Sequence, residues 1–340
     1  MGAKARCPQS AGVASNGSAR LRYRLLCVLV ACAGLSVAHA QRYPTKPIRF
    51  VVGFTAGGAS DITSRIIGQK LTEHFGQPVI IDNRAGASGT IAGAIVARAP
   101  ADGYTLLSGA TSILAINPGL YAKLDYDPVT DFAPVSQTVS MPQLLVVHPA
   151  VRAVTLKELL ALAKAKPGEL NYSSSGTGSS SHMAMELLKY MTGVNFVHVP
   201  FKGSGQAMPS LLAGQVQLVF DPMPSSLPHV RTGRLRALAI STSARSPAIP
   251  ELATVAEAGV PGYESSLWYG VLAPARTPRE IVAKLNETVN AILREPEVVE
   301  RFAGLGAEPL GSSSAAFGGY IGEEIAKWGK VIKAVGMRAE

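Results

Sequence analysis

Beyond residue 41 the chain alternates short apolar runs with longer stretches whose apolar residues recur at helical spacing. Ile48-Arg49-Phe50-Val51-Val52 reads as a strand, and Ile62, Ile66, Ile67 and Leu71 then fall on one face of a helix predicted over 61–75. The same pattern predicts strands at 78–81, 104–108, 144–147, 170–173, 195–199, 216–220 and 235–240. Helices are predicted at 89–99, 156–166, 180–191, 205–212, 279–294 and 315–334, with Trp328 in the last as a core anchor. Thr155 stands where a helix cap is needed, and Pro167-Gly168 stands where a helix should stop. Strands separated by helical segments of about ten residues imply parallel, doubly wound sheets. The strand–turn–helix unit starts twice, at Ile48 and at Leu144. The fold class expected is therefore α/β with two lobes, each a doubly wound, mostly parallel sheet with flanking helices. Residues 41–143 with 267–340 form the first lobe and 144–266 the second, the chain crossing near 141–147 and 266–271.

The first 40 residues change how composition is read. They carry Lys4, Arg6, Arg20, Arg22 and Arg24 and no acid, then an apolar run from Leu25 to Val37, then Ala38-His39-Ala40. This is the layout of a secretory signal cleaved after Ala40. The run is shorter than the roughly 20 residues a membrane span needs. The 19 residues before Arg20 are a long lead for a signal, so translation can begin further in. Leu29-Val30-Ala31-Cys32 resembles a lipobox; Ala38-His39-Ala40 fits cleavage better, and the soluble periplasmic form is expected over a lipoprotein held at Cys32. Of the 32 bases, setting those five aside leaves 27 against 23 acids, a net +4 instead of the +9 of the whole chain. No polybasic cluster remains, and nucleic-acid binding loses its electrostatic footing. All three cysteines (Cys7, Cys27, Cys32) also leave, so the mature chain has no disulfide, thiol nucleophile or cysteine metal site. Hydrophobic residues make up 47% and charged residues 16%, enough apolar content for a sizeable core.

Two loops stand out as candidate chemistry. Phe54-Thr55-Ala56-Gly57-Gly58-Ala59-Ser60-Asp61 follows a strand and opens a helix; Ser173 to His182, with Ser175, Gly176, Thr177, Gly178, Ser179 and Ser180, repeats that context in the other lobe. Gly-rich turns bring backbone N–H groups to one point, and a helix start adds orphan donors and partial positive charge. Such loops make an anion site without arginine. Each is equally compatible with a tight turn whose Ser and Asp cap a helix; a pair facing each other across a cleft favours a ligand with carboxylates at both ends. Each helix dipole supplies only about 0.3–1 kcal/mol, so direct hydrogen bonds and water exclusion must supply most of the affinity.

Other positions are secondary. Ser108-Gly109-Ala110-Thr111-Ser112 ends the third strand and can line the same cleft, with Ser108 and Thr111 as the candidate contacts. Lys202, in Phe201-Lys202-Gly203-Ser204, can face an anion or simply be a solvated surface group. Asp221 can order water or accept from a ligand amine, or be a turn-forming Asp before Pro222. Asp61 reads as a cap first and a ligand contact second, and His182 and His198 as satisfied structural histidines. Neither a G-x-S-x-G elbow nor a phosphate-binding G-x-x-x-x-G-K-[ST] loop is present. Gly176-Thr177-Gly178 lacks the third glycine of a dinucleotide fingerprint, Ser181 standing there. The histidine spacing fits no metal site. No cofactor, metal or catalytic residue is expected; the enzyme alternative is a serine-dependent hydrolase or transferase built from Ser175 to Ser181 with His182.

Through Tyr43-Pro44-Thr45-Lys46-Pro47-Ile48, the 54–61 loop, His198-Val199-Pro200-Phe201-Lys202-Gly203 and further stretches, the chain is similar to the Bug family, periplasmic substrate-binding proteins of tripartite tricarboxylate transporters. The resemblance rests on Tyr43-Pro44-Thr45-Lys46-Pro47-Ile48, the 54–61 loop, Gly76-Gln77-Pro78-Val79 and Asp82-Asn83-Arg84-Ala85-Gly86. It continues through Asp102-Gly103-Tyr104-Thr105-Leu106-Leu107, Ala115-Ile116-Asn117-Pro118, Tyr126-Asp127-Pro128, Asp131-Phe132-Ala133-Pro134 and His198-Val199-Pro200-Phe201-Lys202-Gly203. Leu235-Arg236-Ala237-Leu238-Ala239 and the 250–263 stretch complete it, over essentially the whole mature chain. It implies a two-lobed Venus-flytrap binding protein for a small carboxylated metabolite (a di- or tricarboxylate, acidic amino acid or aromatic acid). Its loops at 54–61 and 174–182 would hold carboxylates, often with ordered water. The partners implied are membrane permease subunits, or in some cases a membrane sensor, with the receptor a monomer. The first loop departs from the family in carrying Thr55-Ala56 where prolines often precede the Gly pair, so a relative's ligand does not transfer.

Overall fold

In chain order the elements are β1 (Ile48–Val52), α1 (Ala59–Phe75), β2 (Val79–Asn83), α2 (Thr90–Ala97), β3 (Thr105–Ala110), α3 (Asn117–Leu120), β4 (Phe132–Met141) and β5 (Gln143–Val147). Then follow α4 (Leu156–Ala165), β6 (Asn171–Ser174), α5 (Ser180–Thr192), β7 (Val197–Pro200), α6 (Ser204–Leu212), β8 (Leu218–Pro222), α7 (Met223–Arg231) and β9 (Arg236–Ile240). The last are β10 (Leu267–Pro274), α8 (Arg279–Ile292), α9 (Pro296–Gly304), β11 (Glu308–Pro309) and α10 (Ser314–Val335). This computed structural model describes residues 1–2 and 43–338. All of these elements belong to the unit that begins at Pro44. The expected signal, its cleavage site and the three cysteines lie outside the described residues.

Two sheets carry the fold, ordered β11-β4-β10-β3-β1-β2 and β7-β6-β8-β5-β9. Each joins a block of three parallel strands to further strands through antiparallel pairs, and four of six strands in the first sheet and four of five in the second run the same way, as the expected mostly parallel sheets require. β2-β1-β3 run parallel, as do β7-β6-β8, whereas β10 pairs antiparallel with β3 and β4, and β5 with β8 and β9. The strands of the parallel blocks are joined by helical crossovers, which force that direction. β4, β5, β9 and β10 instead flank the passages of the chain between the sheets. Those passages are tied together where they run side by side. Ser241 N donates to Gln143 O at 2.9 Å, Gln143 N to Ser241 Oγ at 2.9 Å, and Ser265 N to Ser241 O at 2.9 Å. A few backbone-level bonds are thus what the chain must flex if the sheets move apart.

Most expected elements are present within two or three residues. β1 is buried at nearly every position, as a central parallel strand should be. Thr155 caps α4, its Oγ1 accepting from Glu158 N at 3.2 Å. Replacing it with alanine is expected to cost about 1 kcal/mol, measurable as a lower urea midpoint with an unchanged slope. Trp328 is 1% exposed, and its indole donates to Glu324, which also accepts from Trp268 Nε1.

β4, α7 and α9 escape the sequence pattern. Pro134 interrupts β4, tolerated because β11 covers only the Val139–Ser140 end of that flank. α7 carries Pro224 in its first turn and Pro228 inside, yet buries Met223 and Leu227, so tertiary packing overrides propensity. One boundary shift matters for the site: α1 begins at Ala59 instead of Asp61.

Candidate functional site

Three helices begin at one small cavity. It is lined by Phe54, Gly58, Ala59 and Ser60 from the start of α1, by Ser175, Ser179 and Ser180 before and within α5, and by Ser204 at the start of α6. Ala110, Ser112, Pro222, Leu267 and Tyr269 complete the wall. First-turn N–H groups have no acceptor within their own helix. The residue preceding α1 is Gly58 and that preceding α6 is Gly203, and neither has a side chain to cap them. At α5 the Ser179 side chain accepts from His182 N, leaving the amides nearer the start uncapped. Ser60 is 2% exposed, and its Oγ has no hydrogen-bond partner among the described residues. The cavity thus presents orphan amides, positive helix ends and hydroxyls, and no carboxylate among the residues that line it.

It is also nearly closed. Its free volume is about 20 Å³, room for roughly one water, against the roughly 300–1,000 Å³ of small-molecule sites. The walls touch directly: Thr55 N donates to Lys202 O at 3.3 Å, and Ser88 Oγ donates to Thr177 O at 2.5 Å. Glycines allow this approach. A Cβ on Gly205 would stand 2.1 Å from Ala56 O, and one on Gly178 would stand 2.2 Å from a Leu120 methyl. A wider recess of about 500 Å³, lined by Met141, Pro142, the 242–248 loop and Val299, receives none of the three helix starts.

The remaining expected residues have other partners. Asp61 Oδ2 accepts from Gly57 N at 3.0 Å and Arg65 Nε at 2.9 Å, and Oδ1 from Asn83 Nδ2 at 3.0 Å. Burial pulls its carboxyl up, but these donors outweigh burial and hold it below the ordinary carboxylate value. It is the organiser of the 54–61 loop. Ser108 accepts from Ser64 Oγ at 2.8 Å, joining α1 to β3. Thr111 Oγ1 bonds both backbone groups of Trp268. Gly176, Thr177 and Lys202 line a separate recess of about 660 Å³ that includes Ser88 and Arg338. Thr55 sits against Gly203 and Gly205, its buried Oγ1 without a partner among the described residues.

In the second loop much of the backbone is already engaged. Ser175 N donates to Ser181 Oγ, Gly176 N to Ser174 Oγ, Gly178 N to His182 Nδ1, and Ser179 N to Gly176 O. His182 stacks on His198 at 3.8 Å between centroids, and burial lowers both rings, keeping them neutral. With Nδ1 held by Gly178 and Nε2 facing Glu186 at 3.9 Å, the His182 ring bonds none of the serines from Ser175 to Ser181 among the described residues.

Asp221 lies just outside the lining. It is 1% exposed, and burial pushes its carboxyl up to about 6 against the hydrogen bond from Ser225. Ser204, Leu267 and Tyr269 were not singled out from sequence, whereas Ser112 belongs to the 108–112 stretch expected at the cleft. Ser204 was within reach, since it ends the Phe201–Ser204 motif; Tyr269 was not, because β10 was treated only as a crossing.

The family described as tripartite tricarboxylate transporter family receptor matches residues 63–337. Protein BugT of Bordetella pertussis is 38% identical over 320 residues, covering 93% of this chain and 98% of that protein. The solved structure of R. palustris Rpa4515 with adipate superposes with a TM-score of 0.85 at 43% identity, covering 87% of this chain and 99% of that one. MatC from Rhodopseudomonas palustris with bound malate gives 0.82 at 34%, covering 85% and 100%.

Proposed function

The chain belongs to the tripartite tricarboxylate transporter receptor family, and from that premise we propose that it captures a small carboxylate between its two sheets and hands it on unchanged. The observation that carries this reading is the convergence of three helix starts, two of them capped only by glycine, on one cavity with an unpartnered Ser60 hydroxyl. Backbone amides at helix ends suit carboxylate oxygens. The adipate and malate bound by two relatives have a carboxylate at each end, which matches donors on opposite walls.

The ligand enters an open form and the walls close on it, the lobes being 41–143 with 267–340, and 144–266. The hydrogen bonds between Gln143, Ser241 and Ser265 serve as the hinge. Closure excludes water, which strengthens each donor, and forms the surface that a membrane permease or sensor reads. The mature chain works in the periplasm after cleavage behind Ala40, as a monomer.

Calorimetry and thermal melting against succinate, adipate, malate, tricarboxylates, acidic amino acids and aromatic acids test this. At least one acid is expected to bind one to one and to raise Tm with concentration. A folded protein that binds none of them refutes the reading. Covalent labelling by a serine-directed probe, lost on Ser175→Ala, would refute unchanged release.

A further inference from the structure

Two imidazoles stand behind the second loop. His182 and His198 stack at 3.8 Å between centroids, and Tyr172 covers His198 at 4.8 Å. Each ring reaches one flank of Thr177. His182 Nδ1 accepts from Gly178 N at 3.0 Å. His198 Nε2 lies 2.6 Å from Ser174 Oγ, which accepts from Gly176 N at 3.1 Å. Thr177, held between those two glycines, turns its carbonyl to the opposite wall, where Ser88 Oγ donates to it. Ser175 and Ser179, which line the cavity, are the next residues along the chain on either side.

We propose that His182 and His198 are positioning residues for carboxylate capture: by fixing Gly176 and Gly178 from behind, they aim the Thr177 carbonyl at Ser88 and so set the closed form of the site. This rests on the function proposed above and adds to it what holds the second wall in shape. A backbone N–H only donates, so the Gly178 bond makes Nδ1 the lone-pair nitrogen of His182 and leaves the ring proton on Nε2. The charged groups facing the pair are Glu186 and Lys189 of α5, with the Tyr172 phenol of β6 beside them. Glu186 Oε1 is 3.9 Å from His182 Nε2 and accepts instead from Tyr172 Oη at 2.6 Å and Lys189 Nζ at 2.7 Å. It therefore does not draw a second proton onto that ring, and burial keeps both imidazoles neutral. A protonated His182 would set N–H against N–H at Gly178 and release the loop.

The test separates the acceptor from the ring. Calorimetry uses whichever of succinate, adipate and malate binds the full mature chain most tightly. His182→Asn keeps an acceptor for Gly178 N but loses the stack, and should bind within about threefold of wild type. His182→Phe keeps the stack but loses the acceptor, and should bind at least about tenfold more weakly. Packing alone would reverse that order, and the reversed order, or wild-type affinity in both, overturns the inference. Ser88→Ala should also weaken binding, and His182→Phe should cost less affinity in that background than in wild type, since both act on one contact. Strict additivity overturns the inference too. Nitrogen-15 spectra of the wild-type protein decide the matter even where His182→Phe fails to fold. His182 should show a proton on Nε2 and a bare Nδ1 from about pH 5 to pH 8, and a proton on Nδ1 within that range overturns the inference alone. Failure of all three acids to bind refutes it together with the function on which it rests.

Discussion

Gly205→Ala is expected to weaken carboxylate binding by about tenfold to a hundredfold while leaving Tm unchanged or slightly raised. The added Cβ would stand 2.1 Å from Ala56 O and 3.1 Å from Thr55 Oγ1 in the closed arrangement. The clash is with backbone, so no rotamer relieves it, and overpacking of this kind costs about 1–3 kcal/mol. Nothing within α6 objects: Gly205 lies in the first turn of a nine-residue helix, without a positive φ. Alanine is the better helix former there by up to about 1 kcal/mol. The penalty therefore falls on closure and not on folding. Calorimetry paired with a thermal melt checks it; affinity within twofold of wild type would mean that the ligand is held without this approach of the walls. Gly178 is a poorer probe, because its φ of 80° strains any side chain and the obstructing Leu120 methyl can move.

Asp221→Asn is expected to stabilise the folded protein by about 3 kcal/mol at pH 7.5 and by little at pH 4. Burial raises this carboxyl from the ordinary 3.8 to about 6. A raised acid favours the folded state while protonated, so its penalty is absent below the unfolded value. The penalty grows as pH rises from about 4 to 6, then stays constant, and the change is worth about 3 kcal/mol. This is the reverse of a salt-bridged aspartate such as Asp61, whose lowered carboxyl stabilises at neutral pH and loses that contribution as pH falls through its folded value. Denaturant unfolding at the two pH values distinguishes them. A gain equal at both, or none at pH 7.5, would show that Asp221 is not a buried charge at neutral pH.

The two loops were visible in sequence because Gly-rich turns between a strand and a helix have a local signature. What their residues do was only partly legible. Gly57, Gly58 and Ser60 read as one cradle, yet Gly57 N serves the Asp61 carboxylate while Gly58 and Ser60 line the cavity. Gly176 and Gly178 read as amide donors; their amides bond Ser174 and His182, and their lack of a side chain lets Ser88 and Leu120 approach. A glycine needed for a turn and one needed for close approach look identical in a chain of letters. The third helix start, at Ser204, was missed as a wall because only Lys202 in its motif carries an obvious charge, whereas an uncapped amide carries none.

Periodicity and turn chemistry, which depend on neighbours a few residues away, determined the α/β class, most strands and helices, and the two glycine-rich loops. The tertiary structure alone decided that β10 and β5 run against the parallel blocks they adjoin, that α7 forms despite its prolines, and that three helix ends share one cavity with Asp221 behind it. Those features depend on contacts between residues far apart in the chain, such as Ser175 with Ser204 and Ser88 with Thr177. No local pattern encodes them, because burial and the direction of a hydrogen bond belong to the packed molecule and not to the segment.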